Sequence, residues 1–268
     1  MSLILVTNDD GINSPGLRAA VEAVLHLGDV VVVAPSSQQT SAGRSLHGDR
    51  NGAFLRVERY IDARNVTAYH CECSPARVVL HALDVLFHGH KPDLLVSGIN
   101  YGENLGTNIT ISGTVGAALQ AAAHGIPGLA MSLQTDIENH RRHVDLDWSA
   151  ARHFCRAFAS WMLTATLPPD VDILNVNVPA TSTVATPWNL TRLSRQNYFV
   201  NHMANPNPES KIGEAVCQHG FDEASLEPDS DIYAVHNHRV SVTPVSIDLT
   251  ARIDMKSFMA GIEGISRS

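Results

Sequence analysis

The sequence has 268 residues, of which 44% are hydrophobic, and its formal net charge is −8. The hydrophobic content excludes a disordered chain, and an acidic balance without clusters of Lys and Arg argues against binding to a nucleic-acid duplex. No apolar run approaches the roughly 20 residues of a membrane-spanning helix, so we expect no membrane partner and a cytoplasmic location.

Short apolar runs rich in β-branched residues alternate with helical patterns through the first two-thirds of the chain. The runs predict buried parallel strands at residues 3–7, 30–34, 94–97, 129–132 and 173–178. Strands that alternate with helices are typical of an α/β fold with right-handed crossovers. We therefore predict a three-layer, doubly wound domain with a mostly parallel, Rossmann-like sheet.

Three helix starts are marked by capping residues. Ser14-Pro15 and Ser74-Pro75 each place a capping serine before a first-turn proline, and apolar residues follow at helical spacing. A third helix is predicted to begin near Ser112 and to run through an alanine-rich stretch to His124.

The chain changes character after about residue 187. Asn, Pro, His and acidic residues crowd the stretch 198–238, which we interpret as an extension of the domain. A strand-like run at residues 239–245 and a weakly amphipathic helix follow it, so the C-terminal part is predicted to be rich in β-structure.

Polar clusters follow three of the predicted strands. Residues 7–11 end the first strand, residues 40–43 follow the second, and residues 97–102 end the strand that begins at residue 94. Ligands of open α/β sheets bind outside the carboxyl ends of the strands. The three clusters are therefore predicted to meet in one crevice.

Two adjacent carboxylates, Asp9 and Asp10, stand at the end of the first apolar strand. Their burial without a cation would cost several kcal/mol or keep one of them protonated. A hard divalent ion, Mg²⁺ or Mn²⁺, would resolve this conflict by accepting their oxygens, the amide of Asn100 and a hydroxyl from Thr40 or Ser41. The alternative for Asp-Asp-Gly alone is a plain turn.

A glycine- and asparagine-rich loop runs from Gly98 to Ser112 and opens directly into the third helix. Glycines permit close approach of a ligand, and the first helical turn offers unpaired N–H donors. The loop therefore predicts a phosphate site where it meets the start of the helix. The alternative is that Ser112 only caps the helix.

Other patterns are weaker. His70, Cys71 and Cys73 lie close together, but no second Cys/His pair with zinc-ligand spacing follows, so an ordinary strand edge is favoured. The four cysteines otherwise suit a reducing compartment. His236 and His238 are interpreted as surface residues. The absence of Gly-x-Gly-x-x-Gly argues against a dinucleotide cofactor.

Several blocks in order resemble the SurE family, the survival-protein 5′/3′-nucleotidases. The first is Val6-Thr7-Asn8-Asp9-Asp10-Gly11-Ile12 with Ser14-Pro15-Gly16, and later blocks lie at residues 33–35, 41–43, 97–106, 112–115, 240–244 and 248–250. The resemblance covers the whole chain and implies a single SurE-type α/β phosphatase domain of residues 1–268.

The resemblance also implies a function. A member of this family would hydrolyse nucleoside monophosphates with one divalent cation held by Asp9, Asp10, Asn100 and the hydroxyl position that aligns with Thr40. Asp9, Asp10 and Asn100 would be the catalytic residues, with Asp9 orienting the attacking water. Phosphate contacts would come from Asn100, Ser112, Gly113 and Thr114. Residues 198–238 would protrude and hold a homodimer or homotetramer. Arg77 replaces an acidic residue of the family, which bears on substrate preference.

Two alternatives remain open at this point. A haloacid-dehalogenase-like phosphatase would use an aspartyl nucleophile, but its Asp-x-Asp pattern differs from the adjacent pair at Asp9 and Asp10. A non-catalytic nucleotide sensor could use the same fold, since a fold does not fix a function.

Overall fold

The apolar runs form a nine-stranded sheet in the computed structural model, which describes residues 1–140 and 142–262. The described strands are β1 Ser2–Thr7, β2 Gly28–Pro35, β3 Leu55–Ile61, β4 Arg64–Cys71, β5 Leu94–Tyr101, β6 Gly128–Leu133, β7 Ile173–Val178, β8 Trp188–Leu190, β9 Phe199–His202, β10 Val216–His219 and β11 Val240–Val245. Their order in the large sheet is β3-β4-β2-β1-β5-β6-β7-β11-β8, and β9 and β10 form a separate antiparallel pair.

The six strands from β4 to β7 in this order are mutually parallel. The strand β3 joins one side antiparallel to β4, and β11 joins the other side antiparallel to β7. At the centre, Leu5 of β1 is paired with Val31 of β2 and Leu95 of β5. The predicted mostly parallel sheet is confirmed.

Helices cover both faces of the sheet. They are α1 Pro15–Val24, α2 Pro75–Val85, α3 Gly113–Ala122, α4 Ser149–Met162, α5 Asp231–His236 and α6 Met255–Ile262. Ile4 and Val6 pack in the cluster that contains α1 and α4, whereas Leu5 packs in the cluster that contains α2 and α3. Alternate side chains of a strand point to opposite faces, so β1 serves both layers. The three-layer fold is confirmed.

The predicted helix starts occur, with one difference. Ser14 and Ser112 accept hydrogen bonds from the backbone of α1 and α3, as capping serines do. Ser74 also precedes its helix, but its hydroxyl donates to the carbonyl of Ser45 instead of capping α2. Ser74 therefore ties α2 to the loop that follows β2.

The stretch 198–238 has structure of its own. It contains the β9–β10 pair and α5, and α5 packs against β11. Asp231, at the start of α5, accepts hydrogen bonds from the backbone N–H groups of Gly106 and Ser194, each at 2.8 Å. These bonds attach α5 to the β5–α3 loop. None of the helices within residues 1–140 and 142–262 has the length and apolarity to cross a bilayer.

Candidate active site

The site lies where the chain order of the sheet reverses. From β1 the chain continues to β2 on one side, and it later returns to β5 on the other side. The loops that follow β1, β2 and β5 therefore diverge and leave a crevice at the carboxyl ends of these strands. A pocket of about 440 Å³ occupies it, and Asp9, Asp10, Thr40, Ser41, Asn100 and Ser112 line this pocket. The predicted clusters do meet.

Asp9 and Asp10 are held by specific donors on the pocket floor. Their exposed fractions are only 6% and 4%. Asp9 Oδ1 accepts a 2.6 Å hydrogen bond from Thr114 Oγ1. Asp10 Oδ1 accepts from Gln38 Nε2 at 2.9 Å, and its Oδ2 accepts from the Tyr101 backbone N–H at 3.2 Å. Each carboxylate is therefore fixed in orientation.

Burial disfavours the charge of both carboxylates. It is the main reason that the pKa of Asp9 and that of Asp10 are raised above the ordinary carboxyl value, and the neighbouring charge of Asp9 raises the pKa of Asp10 further. A cation between these oxygens would offset both effects. The two carboxylates are therefore better suited to binding a cation than to lying buried without one.

Asn100 and the β2 loop complete a set of oxygen donors. The Asn100 amide donates through Nδ2 to the carbonyls of Gly102 at 2.7 Å and Tyr101 at 3.3 Å, so its Oδ1 remains as the acceptor for a ligand. Thr40 and Ser41 both lie on the exposed loop beside the pocket, and Ser41 has a φ of 62°. The structure brings both predicted hydroxyl residues to the pocket.

The donor set fits a hard divalent cation. Within the described residues, no group of three or more His, Cys, Asp or Glu side chains could hold a metal ion. A cation in this pocket would therefore take two carboxylates together with amide and hydroxyl oxygens. Oxygen donors of this kind suit Mg²⁺ or Mn²⁺, which keep water in their remaining positions.

The N-terminus of α3 forms a second wall of the pocket. Ser112 Oγ accepts from the Val115 N–H at 3.1 Å, so its O–H remains able to donate to a ligand. The N–H groups of Gly113 and Thr114 come first in the helix and have no acceptor within it. Three donors at the positive end of a ten-residue helix are an arrangement that suits an anion.

Gly113 and Thr114 also position Asp9. The Thr114 side chain is fully buried and its hydroxyl is bonded to Asp9, so a phosphate contact from Thr114 would involve its backbone N–H. A Cβ on Gly113 would lie 2.7 Å from the Asp9 Cβ and 2.8 Å from its Oδ2. The absence of a side chain at residue 113 therefore lets the carboxylate pack against the helix start.

Sequence reasoning missed several pocket residues. Gln38 donates both to Asp10 and, at 2.7 Å, to the carbonyl of His140, which joins three distant segments. Glu103 is buried in the pocket wall, and this burial raises its pKa to about 6. Phe199 lies on the opposite wall, in edge contact with the ring of His140. Only Glu103, inside the predicted glycine-rich loop, had a local sequence signal.

A buried asparagine ladder supports the β5–α3 loop. The carbonyl of Asn104 accepts from the amides of Asn175 at 2.9 Å and Asn177 at 3.1 Å. Its side chain donates to Ser132 Oγ at 2.9 Å. Both asparagines of β7 are fully buried. In the sequence, two polar residues at alternate positions of this apolar strand indicate that it holds the loop.

The weaker candidates lie apart from the pocket. His70 Nδ1 is within 2.8 Å of Ser36 Oγ, and the sulfur atoms of Cys71 and Cys73 are 2.8 Å apart, without a third metal-binding side chain in the described chain. His236 and His238 are exposed, which agrees with their interpretation as surface residues. Arg77 is an exposed residue of α2 outside the described pocket lining.

The chain is similar over most of its length to known proteins. Residues 4–200 match the family described as survival protein SurE. The chain is 42% identical to the 5′-nucleotidase SurE of Thermococcus gammatolerans, with 94% of this chain and 93% of that protein covered. It is 37% identical to the 5′-nucleotidase SurE of Methanothrix thermoacetophila, with 99% and 100% covered. The crystal structure of the SurE protein from Aquifex aeolicus superposes with a TM-score of 0.73 at 31% identity, over 96% of this chain and 98% of that one.

Proposed function

Because the chain belongs to the SurE family and is a 5′-nucleotidase, we propose that it hydrolyses nucleoside monophosphates to nucleoside and phosphate in a reaction that needs one divalent cation. The observation that carries this proposal is that two buried carboxylates, Asp9 and Asp10, lie in the pocket that the start of α3 also lines, with Asp9 packed directly against Gly113. A cation site and a phosphate site then share one pocket.

The cation would be Mg²⁺ or Mn²⁺, held by Asp9, Asp10, Asn100 and the hydroxyl of Thr40. When bound, it would polarise a phosphoryl oxygen and lower the pKa of a coordinated water. Asn100 is suited to this set because its Nδ2 is engaged by backbone carbonyls and its oxygen is left for the ligand.

The chain's own residues would position the phosphate and the water. The Ser112 hydroxyl and the backbone N–H groups of Gly113 and Thr114 would donate to the phosphoryl oxygens. Thr114 occupies Oδ1 of Asp9, so Oδ2 would accept a hydrogen bond from the water and direct it towards phosphorus. In-line attack would release the nucleoside.

The outer part of the pocket would receive the nucleoside. Ile111, Ile137, Phe199 and Val200 give this part an apolar character, whereas Asn108 and Asn201 add amide groups beside them. An aromatic ring with neighbouring amides suits a heterocyclic base, because the base has a flat apolar face and a polar edge.

The reaction is tested by release of inorganic phosphate from nucleoside 5′-monophosphates and from p-nitrophenyl phosphate in the presence of Mn²⁺. We expect EDTA to abolish release and added Mn²⁺ or Mg²⁺ to restore it. A panel of 3′- and 5′-monophosphates would identify the preferred ester. Full turnover by the chelated enzyme would contradict the role of the cation.

The proposal extends to assembly as a homodimer or homotetramer in the cytoplasm, with residues 198–238 in the contact between subunits. Exposed apolar side chains support this assembly. Ile212 and Val216, in and beside the β9–β10 connection, are 96% and 65% exposed, and Phe258 and Met259 of α6 are also exposed. Exposed apolar patches of this kind mark surfaces that associate.

A further inference from the structure

Two thiols touch at the end of β4, outside the pocket. The Sγ atoms of Cys71 and Cys73 are 2.8 Å apart, and both residues are 6% exposed. The backbone between them turns, because the Cys73 N–H donates to the Cys71 carbonyl at 3.0 Å. The turn places both side chains on the same side of the strand end. The fold therefore holds two sulfur atoms close to bonding distance.

A metal does not account for this pair. No third His, Cys, Asp or Glu side chain joins them in a possible metal group within residues 1–140 and 142–262. The neighbouring His70 points its Nδ1 at Ser36 Oγ. The pair is therefore a dithiol without a further ligand.

The surroundings favour a thiolate at Cys71. The hydrogen bond from Cys73 is the main cause of a lowered pKa of the Cys71 thiol, and the charge of Arg77 contributes. The same hydrogen bond, together with burial, raises the pKa of the Cys73 thiol, so the pair shares one proton. Both cysteines also precede the N-terminus of the eleven-residue helix α2, whose dipole favours negative charge. A thiolate next to a second thiol is the arrangement that thiol–disulfide exchange requires.

An external reagent has a route to the pair. Cys73 lines a surface groove together with His47, Gly48, Asp49 and Arg50. Gly48 packs closely against this cysteine, since a Cβ at residue 48 would lie 2.5 Å from the Cys73 Cβ. Cys73 lines the groove and Cys71 is not among its described lining residues, so we expect a small disulfide to reach Cys73 first.

We propose that Cys71 and Cys73 form a dithiol site that exchanges with low-molecular-weight disulfides to give an intramolecular disulfide. As Cys73 attacks one sulfur of the reagent, its proton passes to the Cys71 sulfur along the contact between the two sulfur atoms, and the attack releases one thiolate and leaves a mixed disulfide on Cys73. The released thiolate takes this proton from Cys71. The Cys71 thiolate then attacks the Cys73 sulfur and expels the second thiolate. The two cysteines are oxidised, and the external disulfide is reduced to two thiols.

The bond would form at the base of the loop that carries Thr40 and Ser41. The Ser36 N–H donates to the Cys71 carbonyl and the Asp49 N–H donates to the Glu72 carbonyl, each at 2.9 Å. These bonds attach both ends of the loop to the segment 71–73. Bond formation would bring the two sulfur atoms from 2.8 Å to about 2.05 Å apart.

The test equilibrates the native full-length chain with oxidised and reduced glutathione, quenches with acid, and alkylates in denaturant before mass spectrometry. We expect two of the four cysteines to resist alkylation, and the peptide with residues 71–73 to be two hydrogens lighter. The equilibrium constant for formation of the internal disulfide should be about tenfold larger in the native protein than in concentrated urea, because the fold holds the two sulfur atoms together. A tenfold change is equivalent to a difference of about 30 mV in reduction potential.

Three variants locate the bond. Cys71→Ser should stop at a stable mixed disulfide on Cys73, Cys73→Ser should form no internal bond, and the matched control Cys217→Ser should behave as the wild type. Alkylation of all four cysteines after oxidation of the native chain would overturn the proposal. An equilibrium constant no larger in the native protein than in urea would also overturn it.

Discussion

The crowded carboxylates at residues 9 and 10 determine how stability responds to pH when no cation is bound. Their pKa values are raised in the folded protein, so the folded state binds more protons than the unfolded state above the ordinary carboxyl value near pH 4. Stability should therefore fall as pH rises from about 4, until both groups are ionised in the folded protein. A cation would remove this loss.

Asp9→Asn tests this interpretation. The amide keeps the size of the side chain and can still accept from Thr114, but it carries no charge. We expect the cation-free variant to melt no lower than the wild type at neutral pH, and any difference to vanish below about pH 4. Turnover should be almost completely lost. Melting curves in EDTA and phosphate release with Mn²⁺ measure the two effects.

The exposed helical residue Asp84 supplies a control, because Asp84→Asn removes one carboxylate far from the pocket. This variant should keep wild-type turnover. Wild-type turnover by Asp9→Asn would contradict the catalytic role of Asp9. A melting temperature of Asp9→Asn below that of the wild type in EDTA would contradict the repulsion between the carboxylates of Asp9 and Asp10.

Gly113→Ala should displace Asp9. The added Cβ would lie closer to the carboxylate than real contacts allow, and overpacking of this kind costs about 1–3 kcal/mol. We expect a large loss of turnover and weaker activation by Mn²⁺. Gly213→Ala is the control, because nothing lies within 4 Å of its added Cβ. Equal activity of the two variants would show that Asp9 tolerates the shift.

At the scale of elements, the start of α3 combines a structural cap with a ligand site. Ser112→Ala removes both the acceptor for the Val115 N–H and the donor that faces the pocket. The cap alone should cost about 1 kcal/mol of stability. We also expect a higher Michaelis constant and slower turnover, measured with a nucleoside monophosphate.

A matched change separates the two roles of Ser112. Ser230 caps α5 by accepting from the Tyr233 N–H, but it does not line the pocket. Ser230→Ala should lower the melting temperature without a change in kinetics. If Ser112→Ala also leaves the kinetics unchanged, Ser112 is only a cap.

The sequence predicted the elements that carry strong local signals. The apolar runs of β1, β2, β5, β6 and β7 and the serine-proline starts of α1 and α2 were placed within a few residues. The β3–β4 hairpin was missed, because its two-residue turn is Asp62-Ala63. Both residues have positive φ, at 45° and 61°, and the glycine that usually marks such a turn is absent. The helix α4 was also missed, although Ala151, Phe154, Cys155 and Met162 have helical spacing.

The site was predictable in part for a topological reason. Asp9 and Thr40 follow parallel strands and Asn100 lies near the end of a third, and the carboxyl ends of such strands converge. Gln38 and Phe199 had no comparable signal, because their roles depend on contacts with distant residues. Phe199, for example, is bonded through its backbone to Asn108, 91 residues away. Only the folded chain reveals that β9 faces the pocket.

At the scale of the whole molecule, the β9–β10 connection offers a direct test of assembly. Replacement of all residues 198–238 would also remove Phe199 and α5, so the variant should replace only residues 204–214 with a short Gly-Ser linker. We expect light scattering to give a dimer or tetramer for the wild type and a smaller species for the variant. Turnover per chain, measured alongside, controls for folding. A monomeric wild type, or an unchanged variant oligomer, would contradict the proposed contact.

The edge strands of the open sheet determine how readily another molecule can add a strand to it. Within the described chain, the sheet ends at β3 on one side and at β8 on the other. In this sheet, a strand from another molecule could add only at these two ends. β3 carries Arg56, Glu58 and Arg59, whose charges such an addition would have to desolvate, and β8 has only three residues. The described apolar strands between them have both of their hydrogen-bonding edges occupied, so the large sheet offers no long apolar strand as a template for fibril growth.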